Sequence, residues 1–449
     1  MNDNRIKIME EFPIPKAIIT MSLPAIIGLI VQAIYNIVDT MFVSWLGPLA
    51  TGATQVVYPL TMIFSAIGLT FGIGGGAYIS RLLGNKNYSE ANRTCSTSFF
   101  ISLIAGIISS ILSVIFLNNL LKLFGASNSL LSNASQYGLF IAIGGFAQIS
   151  NMTLNNLLRG EGSAKYSMIG MALGALLNII LDPILIFQFD LGIKGAAIAT
   201  SISQIFTFSI LLTHYLKHKT ILSIKIKDIT LKASIFSEIF KVGLPTFFRQ
   251  ILMSFSIALL NTAAGQYSGD SAIAAIGIVT RVLMLSFFIL FGLGQGFQPI
   301  AGYNYGSKNK ERLKQATKFS ILLSLAIAII SCAVYLMFEN TILGIFKPTE
   351  NVLNLAKYFS KYYLISILLM SITNIISVFY QSIGKGKEAF VLSISRQGIF
   401  FIPLIIFLPQ IVDFHGVVLS QPLADLFTFV LSIILFYKTY KTQNTIYLN

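Results

Sequence analysis

Charge is what this chain has least of. Only 11% of its 449 residues are charged, 55% are hydrophobic, and the mean hydropathy is +0.77. Soluble domains carry about a quarter charged residues, so a soluble fold of this length is excluded and an integral membrane protein is expected. Cysteine is nearly absent. Cys95 and Cys332 fall in different halves, which excludes a disulfide framework and a zinc spacing. The three histidines, His214, His218 and His415, sit near segment ends and form no ligand cluster. No DxxD or DDxxD run exists to hold a magnesium diphosphate, which argues against a membrane-embedded prenyl- or glycosyl-transfer enzyme. No nucleotide-binding domain is present, so transport would run without ATP. The chain is expected to be no enzyme and to need no cofactor. Residues 1–16 are polar and of mixed charge, and no small-residue cleavage pattern follows, so no removable signal peptide is read.

What is abundant is long apolar runs. About twelve can span a bilayer, near 17–45, 53–80, 95–117, 134–158, 166–188, 195–216, 238–265, 273–302, 317–338, 358–382, 389–409 and 416–437. The net charge of +14 raises nucleic acid as a partner, but the basic residues fall in alternate connections. One set holds Arg5, Lys7 and Lys16, then Arg81, Lys86 and Arg93, then Arg159 and Lys165. It continues through the Lys-rich run 217–241, Lys308 to Lys318, Lys385 with Lys387, and Lys438 with Lys441. The other set holds only Lys122, Lys194, Lys347, Lys357 and Lys361. By the positive-inside rule both termini are cytoplasmic and the helix number is even. No nucleic acid and no protein partner is implied.

The chain also repeats itself. GAYISRLLGNKNYSEA from Gly76 matches QPIAGYNYGSKNKERL from Gln298, at an offset of about 222 positions. SLPAIIG from Ser22 echoes GLPTFFR from Gly243, LRGEGSAK from Leu158 echoes QSIGKGKE from Gln381, and Gly195–Gln204 aligns with Gly416–Asp425. Six helices repeated in one orientation make a parallel repeat. The expected division is an N-terminal lobe over 1–216, a cytoplasmic linker over 217–237 and a C-terminal lobe over 238–449. The fold class is therefore all-α, with about twelve transmembrane helices in two pseudo-symmetric six-helix lobes. The glycine clusters GIGGG at Gly72 and GLGQG at Gly292 lack the strand–turn–helix setting of a phosphate loop and are read as close helix packing. Pro24, Pro183 and Pro245 mark expected kinks.

The chemistry concentrates in ALLNIILDPILIF, from Ala175 to Phe187. Asn178 and Asp182, four apart, share a helix face, and Pro183 frees a carbonyl one turn upstream, near Ile179. An acid at mid-membrane costs about 2.5–3.5 kcal/mol on insertion scales, which a cation, a proton or a partner helix can offset. The plain alternative is a polar packing pair. In the second half Arg249, Arg281, Arg396 and Asp425 lie in or beside spans. They read either as a structural ion pair that lowers burial cost or as an anion-tolerant, substrate-binding cavity.

These repeats and motifs resemble the multidrug and toxic compound extrusion (MATE) transporters over nearly the whole chain. The marks are the GNK and GSK loops after the second and eighth helices and NIILDPILIFQFDLGIKGAAIATSIS from Asn178. YISRLLGNKNYS from Tyr78 is similar to the DinF-like and MepA-like branches. The resemblance implies a secondary antiporter in the bacterial inner membrane. It would export organic cations, drugs or amphipathic compounds by alternating access, coupled to H+ or Na+. It further implies a cation site of Asp39, Asn178, Asp182 and Thr200, joined by Tyr137. Two facing carboxylates in low dielectric cannot both stay ionised cheaply, so Asp39 and Asp182 are expected to share a proton or a sodium ion. Acids that the NorM-like branch places in helices seven and ten are missing, since FSIALLNTAAG and SITNIISVFYQSIG hold none. The alternative function is a lipid-linked oligosaccharide flippase of the same superfamily, which favours a strongly cationic central cavity. A passive channel fits coupled lobes and midplane acids poorly. The expected partners are small organic substrates and membrane lipids.

Overall fold

The computed structural model describes residues 4–217, 219–346 and 348–446, so His218 and Lys347 lie outside it. Among the described residues every regular element is helical. We number the long helices α1 Ile14–Ser44, α2 Pro48–Gly84, α3 Tyr88–Ile115, α4 Asn128–Gly160, α5 Ala164–Gln188 and α6 Gly192–Leu216. The second half holds α7 Ala233–Gly269, α8 Ser271–Gly306, α9 Lys310–Gly344, α10 Glu350–Ser382, α11 over 386–411 and α12 over 414–446. Ten stretches are long and apolar enough to cross a membrane by length and composition. The last of these, Gly386–Thr439, breaks at Val412 and Asp413 into α11 and α12. The twelfth helix, α4, is 33 residues long but rich in inward-facing amides, including buried Asn151, Asn155 and Asn156. The helices outrun the apolar stretches in the sequence at their polar ends, and α7 begins at Ala233 rather than near 238.

The repeated G-x-K-N motif has a local cause. Lys86 and Lys308 each take φ 58°, the left-handed conformation that stops a helix. Asn87 and Asn309 then cap the next helices, accepting from the N–H groups of Glu90 at 3.2 Å and Arg312 at 3.0 Å. The glycines of the motif let the two loops press together. A Cβ on Gly84 would lie 2.0 Å from the Tyr303 carbonyl oxygen, and one on Gly306 would lie 2.0 Å from that of Arg81.

The same device joins the lobes along one end of the bundle, the end that carries the basic loops. A Cβ on Gly74 would meet the Ile239 carbonyl oxygen at 2.1 Å, and one on Gly243 would meet that of Thr70 at 2.1 Å. Gly292 and Gly296 of α8 press in the same way on Ile26 and Ser22 of α1. The glycine clusters are thus backbone-to-backbone crossings, where small residues let helices approach closely. A shared apolar core fills this end, with Ile79 and Leu157 from the first lobe beside Phe297 and Tyr380 from the second. Toward the other end the cores separate. One holds Val57, Tyr137 and Ile186, the other Leu260, Phe359 and Val417. The lobes therefore meet at the basic end and part at the opposite one.

The short helix Asn4–Glu10 straps this joint. Arg5 pairs with the fully buried Glu161 at 3.8 Å, and Glu10 accepts from the Tyr303 hydroxyl at 2.9 Å. Asn304 and Arg312 donate to the Met9 carbonyl at 3.1 and 3.2 Å. Arg81 of α2 reaches Glu238 of α7 at 2.8 Å.

One prediction arises here. Gly84→Ala forces a methyl into a backbone contact that cannot yield, at a cost of about 1–3 kcal/mol. Thermal unfolding of the purified protein is expected to fall by several degrees. Gly344→Ala, with nothing within 4 Å of its Cβ, is expected to leave the midpoint unchanged. Equal midpoints for both variants would refute the tight crossing.

Candidate functional site

Four helices of the first lobe converge on a polar chamber. α1 carries Asp39, with Tyr35 one turn earlier on the same face. α4 brings Tyr137, 7% exposed, and α6 brings Thr200. α5 supplies Asn178 and Asp182, exposed by 2% and 0%. Pro183 has the effect its missing N–H dictates. The helix widens at once into a π-turn over Ile184–Gln188, a distortion that recurs at functional sites.

Asn178 bridges two of its neighbours in either amide orientation. In one, Nδ2 lies 3.4 Å from Asp182 Oδ1 and 3.5 Å from Thr200 Oγ1. In the other, which satisfies both ends better, the amide donates to Asp182 Oδ2 and accepts from the Thr200 N–H, each at 3.3 Å. Asp39, Asp182, Tyr35 and Tyr137 stand close enough to feel one another's charge. The Oδ1 atom of Asp39 is buried and meets no hydrogen-bond donor among the described residues. All five residues singled out in the sequence for this lobe thus come together. Their donors are oxygens throughout, a set suited to a proton or a hard cation and not to a soft metal.

The sequence reading missed Tyr35, although its four-residue spacing from Asp39 was a readable signal. It also missed the floor of the chamber, a cleft of about 500 Å³ lined by Gln32, Asn151, Asn155, Ser203 and Gln204. There Asn151 donates to the Gln204 side chain and carbonyl, both at 2.8 Å, tying α4 to α6.

The second lobe holds a different arrangement. Arg396 grips Asp425 with two nitrogens, Nε to Oδ1 at 2.5 Å and Nη2 to Oδ2 at 3.4 Å. Gln421 donates to both carboxylate oxygens at 3.2 Å. Arg249 lies over the Phe291 ring at 5.6 Å and borders the same cleft. Arg281 does not join them; it is exposed on α8 and does not line the cleft. Arg159, read from sequence as a loop cation, is instead buried near the end of α4 and donates to Gln295 of α8 across the lobe boundary.

Twelve helices in two repeated lobes, joined at one end and holding an oxygen-lined chamber, define a multi-pass membrane carrier. The MatE family model matches residues 24–184 and again 245–407, once in each lobe. The chain belongs to the MatE family, and it is a transporter, not an enzyme. It is 32% identical over 427 residues to the multidrug export protein MepA of Staphylococcus aureus strain MRSA252, covering 95% of this chain and 94% of that one. It is 31% identical over 426 residues to the protein of the same description from Staphylococcus saprophyticus, with the same coverage. It superposes on a solved multidrug resistance MATE transporter in an outward-facing conformation. The TM-score is 0.92 at 25% identity, over 98% of this chain and 99% of that one.

Proposed function

We propose that the protein is a multidrug exporter of the cell membrane that works as a secondary antiporter, expelling amphipathic compounds against an inward flow of H+ or Na+. The observation that carries this reading is the meeting of Asp39 and Asp182 in one chamber with Asn178, Thr200, Tyr35 and Tyr137. Such a chamber holds one proton or one cation well and two bare carboxylates poorly. The multidrug export proteins among the relatives support the cargo class.

The basic end is cytoplasmic under the positive-inside rule. The lobes meet there, so the geometry is that of an outward-open carrier, as in the solved relative above. α1 connects the two functions. Its Ser22 and Ile26 press on α8 at the closed end, Pro24 lies between them, and Asp39 enters the chamber farther along. Loading the chamber changes the packing of α1 and hence the balance between outward-open and inward-open forms.

Two experiments test this. In proteoliposomes, an imposed inward H+ or Na+ gradient should drive export of an amphipathic dye. Export that ignores both gradients would refute antiport. In whole cells, single cysteines in the 219–232 connection should react with impermeant maleimide only after the membrane is opened, and those near Asp190 without opening. Labelling of both in intact cells would overturn the orientation.

A further inference from the structure

We infer that the cleft between the lobes selects cargo bearing a carboxylate on an apolar body, and that Arg249 is the residue that receives it. The inference rests on the exporter reading above and names the chemistry of its cargo.

The cleft spans about 1080 Å³, open in part to solvent, and takes its walls from both lobes. The first lobe contributes only Leu29, Leu69 and Ile73, all apolar. The charges all come from the second lobe: Arg249, Arg396 and Asp425. The single acid is already spent. Asp425 is 2% exposed, and both its oxygens are held by Arg396 and Gln421. Arg249 is the surplus cation. Among the described residues no acid forms an ion pair with it, and the charge that acts on it is the like charge of Arg396. An unpaired guanidinium in an apolar, half-buried wall is costly, and a carboxylate offsets that cost with two parallel hydrogen bonds.

The rest of the lining fits such a guest. Phe288, Phe291, Met253 and Met370 supply an adaptable apolar wall. Gln397 lines the cleft and holds a buried amide oxygen with no partner among the described residues, an acceptor for an N–H on the cargo. A permanent organic cation finds no available acid in this cleft. Asp39 and Asp182 face the other chamber, inside the first lobe.

The test uses one fluorophore in three charge states: dansylglycine, dansylamide and dansylcadaverine. Each is titrated by equilibrium fluorescence into the full-length protein in phosphatidylcholine nanodiscs. Dansylglycine is expected to bind tightest. Arg249→Gln should weaken it by about tenfold, the scale of one charged hydrogen bond, while dansylcadaverine binding holds or tightens. Arg249→Lys should keep most of the preference, which separates lost charge from lost fold. Equal loss of all three probes, or no loss of dansylglycine, would overturn the inference. Lipid is the other source of an amphipathic anion. Dansylglycine affinity that survives a change to phosphatidylglycerol nanodiscs supports a soluble cargo, whereas competition by that lipid would refute it. The binding assay needs no gradient, so a failure of driven export counts against antiport and leaves this inference standing on its own result.

Discussion

Asp39→Asn is expected to stop gradient-driven export while the protein still binds cargo. In proteoliposomes the driven rate should fall to the level seen without a gradient, at a fixed pH gradient and again at a fixed Na+ gradient. The argument starts from the carboxylate itself. Its Oδ1 is buried without a donor, and Asp182, Tyr35 and Tyr137 crowd it. Asparagine keeps the shape but cannot ionise, so it imitates the loaded chamber permanently. Asp182→Asn should behave alike. The double change should be no worse than either single one, because the two acids hold one ion as a unit. Thr200→Ala removes one neutral oxygen and should weaken coupling less than either acid does. Full export by Asp39→Asn under both gradients would place the coupling site elsewhere.

The reason Asp39 and Asp182 were legible in the sequence is physical. An acid in an apolar span carries a cost that the chain retains only for use, so the residue announces itself. The same logic exposed Arg396 and Asp425. The twelve helices were legible from hydropathy because lipid-facing side chains must be apolar whatever the cargo. Tyr35 was not read, because a tyrosine in a membrane helix is ordinarily a packing residue and only its register with Asp39 marks it. The amide floor of Asn151, Asn155 and Gln204 was hidden for a related reason. Neutral amides cost little, and their partners lie on other helices that no local pattern names. Arg159 misled in the opposite way, and its neighbour Glu161 was not read at all. They sit in a stretch that reads as a basic loop, yet the strap Asn4–Glu10 and the linker near Leu222 close over Glu161, while Arg159 turns inward to Gln295 across the lobe boundary. Arg281 shows the limit of reading charge alone, since its helix turns it away from the other two arginines.

The second large effect is expected at the ion pair. Asp425→Ala leaves the Arg396 guanidinium half-buried without its carboxylate, and Arg396→Gln leaves a carboxylate that is 1% exposed without its guanidinium. Each single change should cost about 3–5 kcal/mol, the price of an uncompensated buried charge. Arg396 stands in a π-turn over Ser395–Phe401, and Asp425 on α12, so the pair holds the widened middle of α11 against its neighbour. Removing both charges as Arg396→Gln with Asp425→Ala should hurt less than the sum of the single losses, because neither charge is then stranded. Thermal unfolding of the purified variants measures this directly, and additive losses would sink it. Asp425→Asn should meanwhile leave the H+ or Na+ dependence of export intact in whatever fraction folds. Gln421 can still donate to the amide oxygen, and the coupling acids lie in the other lobe. A changed ion dependence in that variant would move Asp425 from the scaffold into the transport cycle.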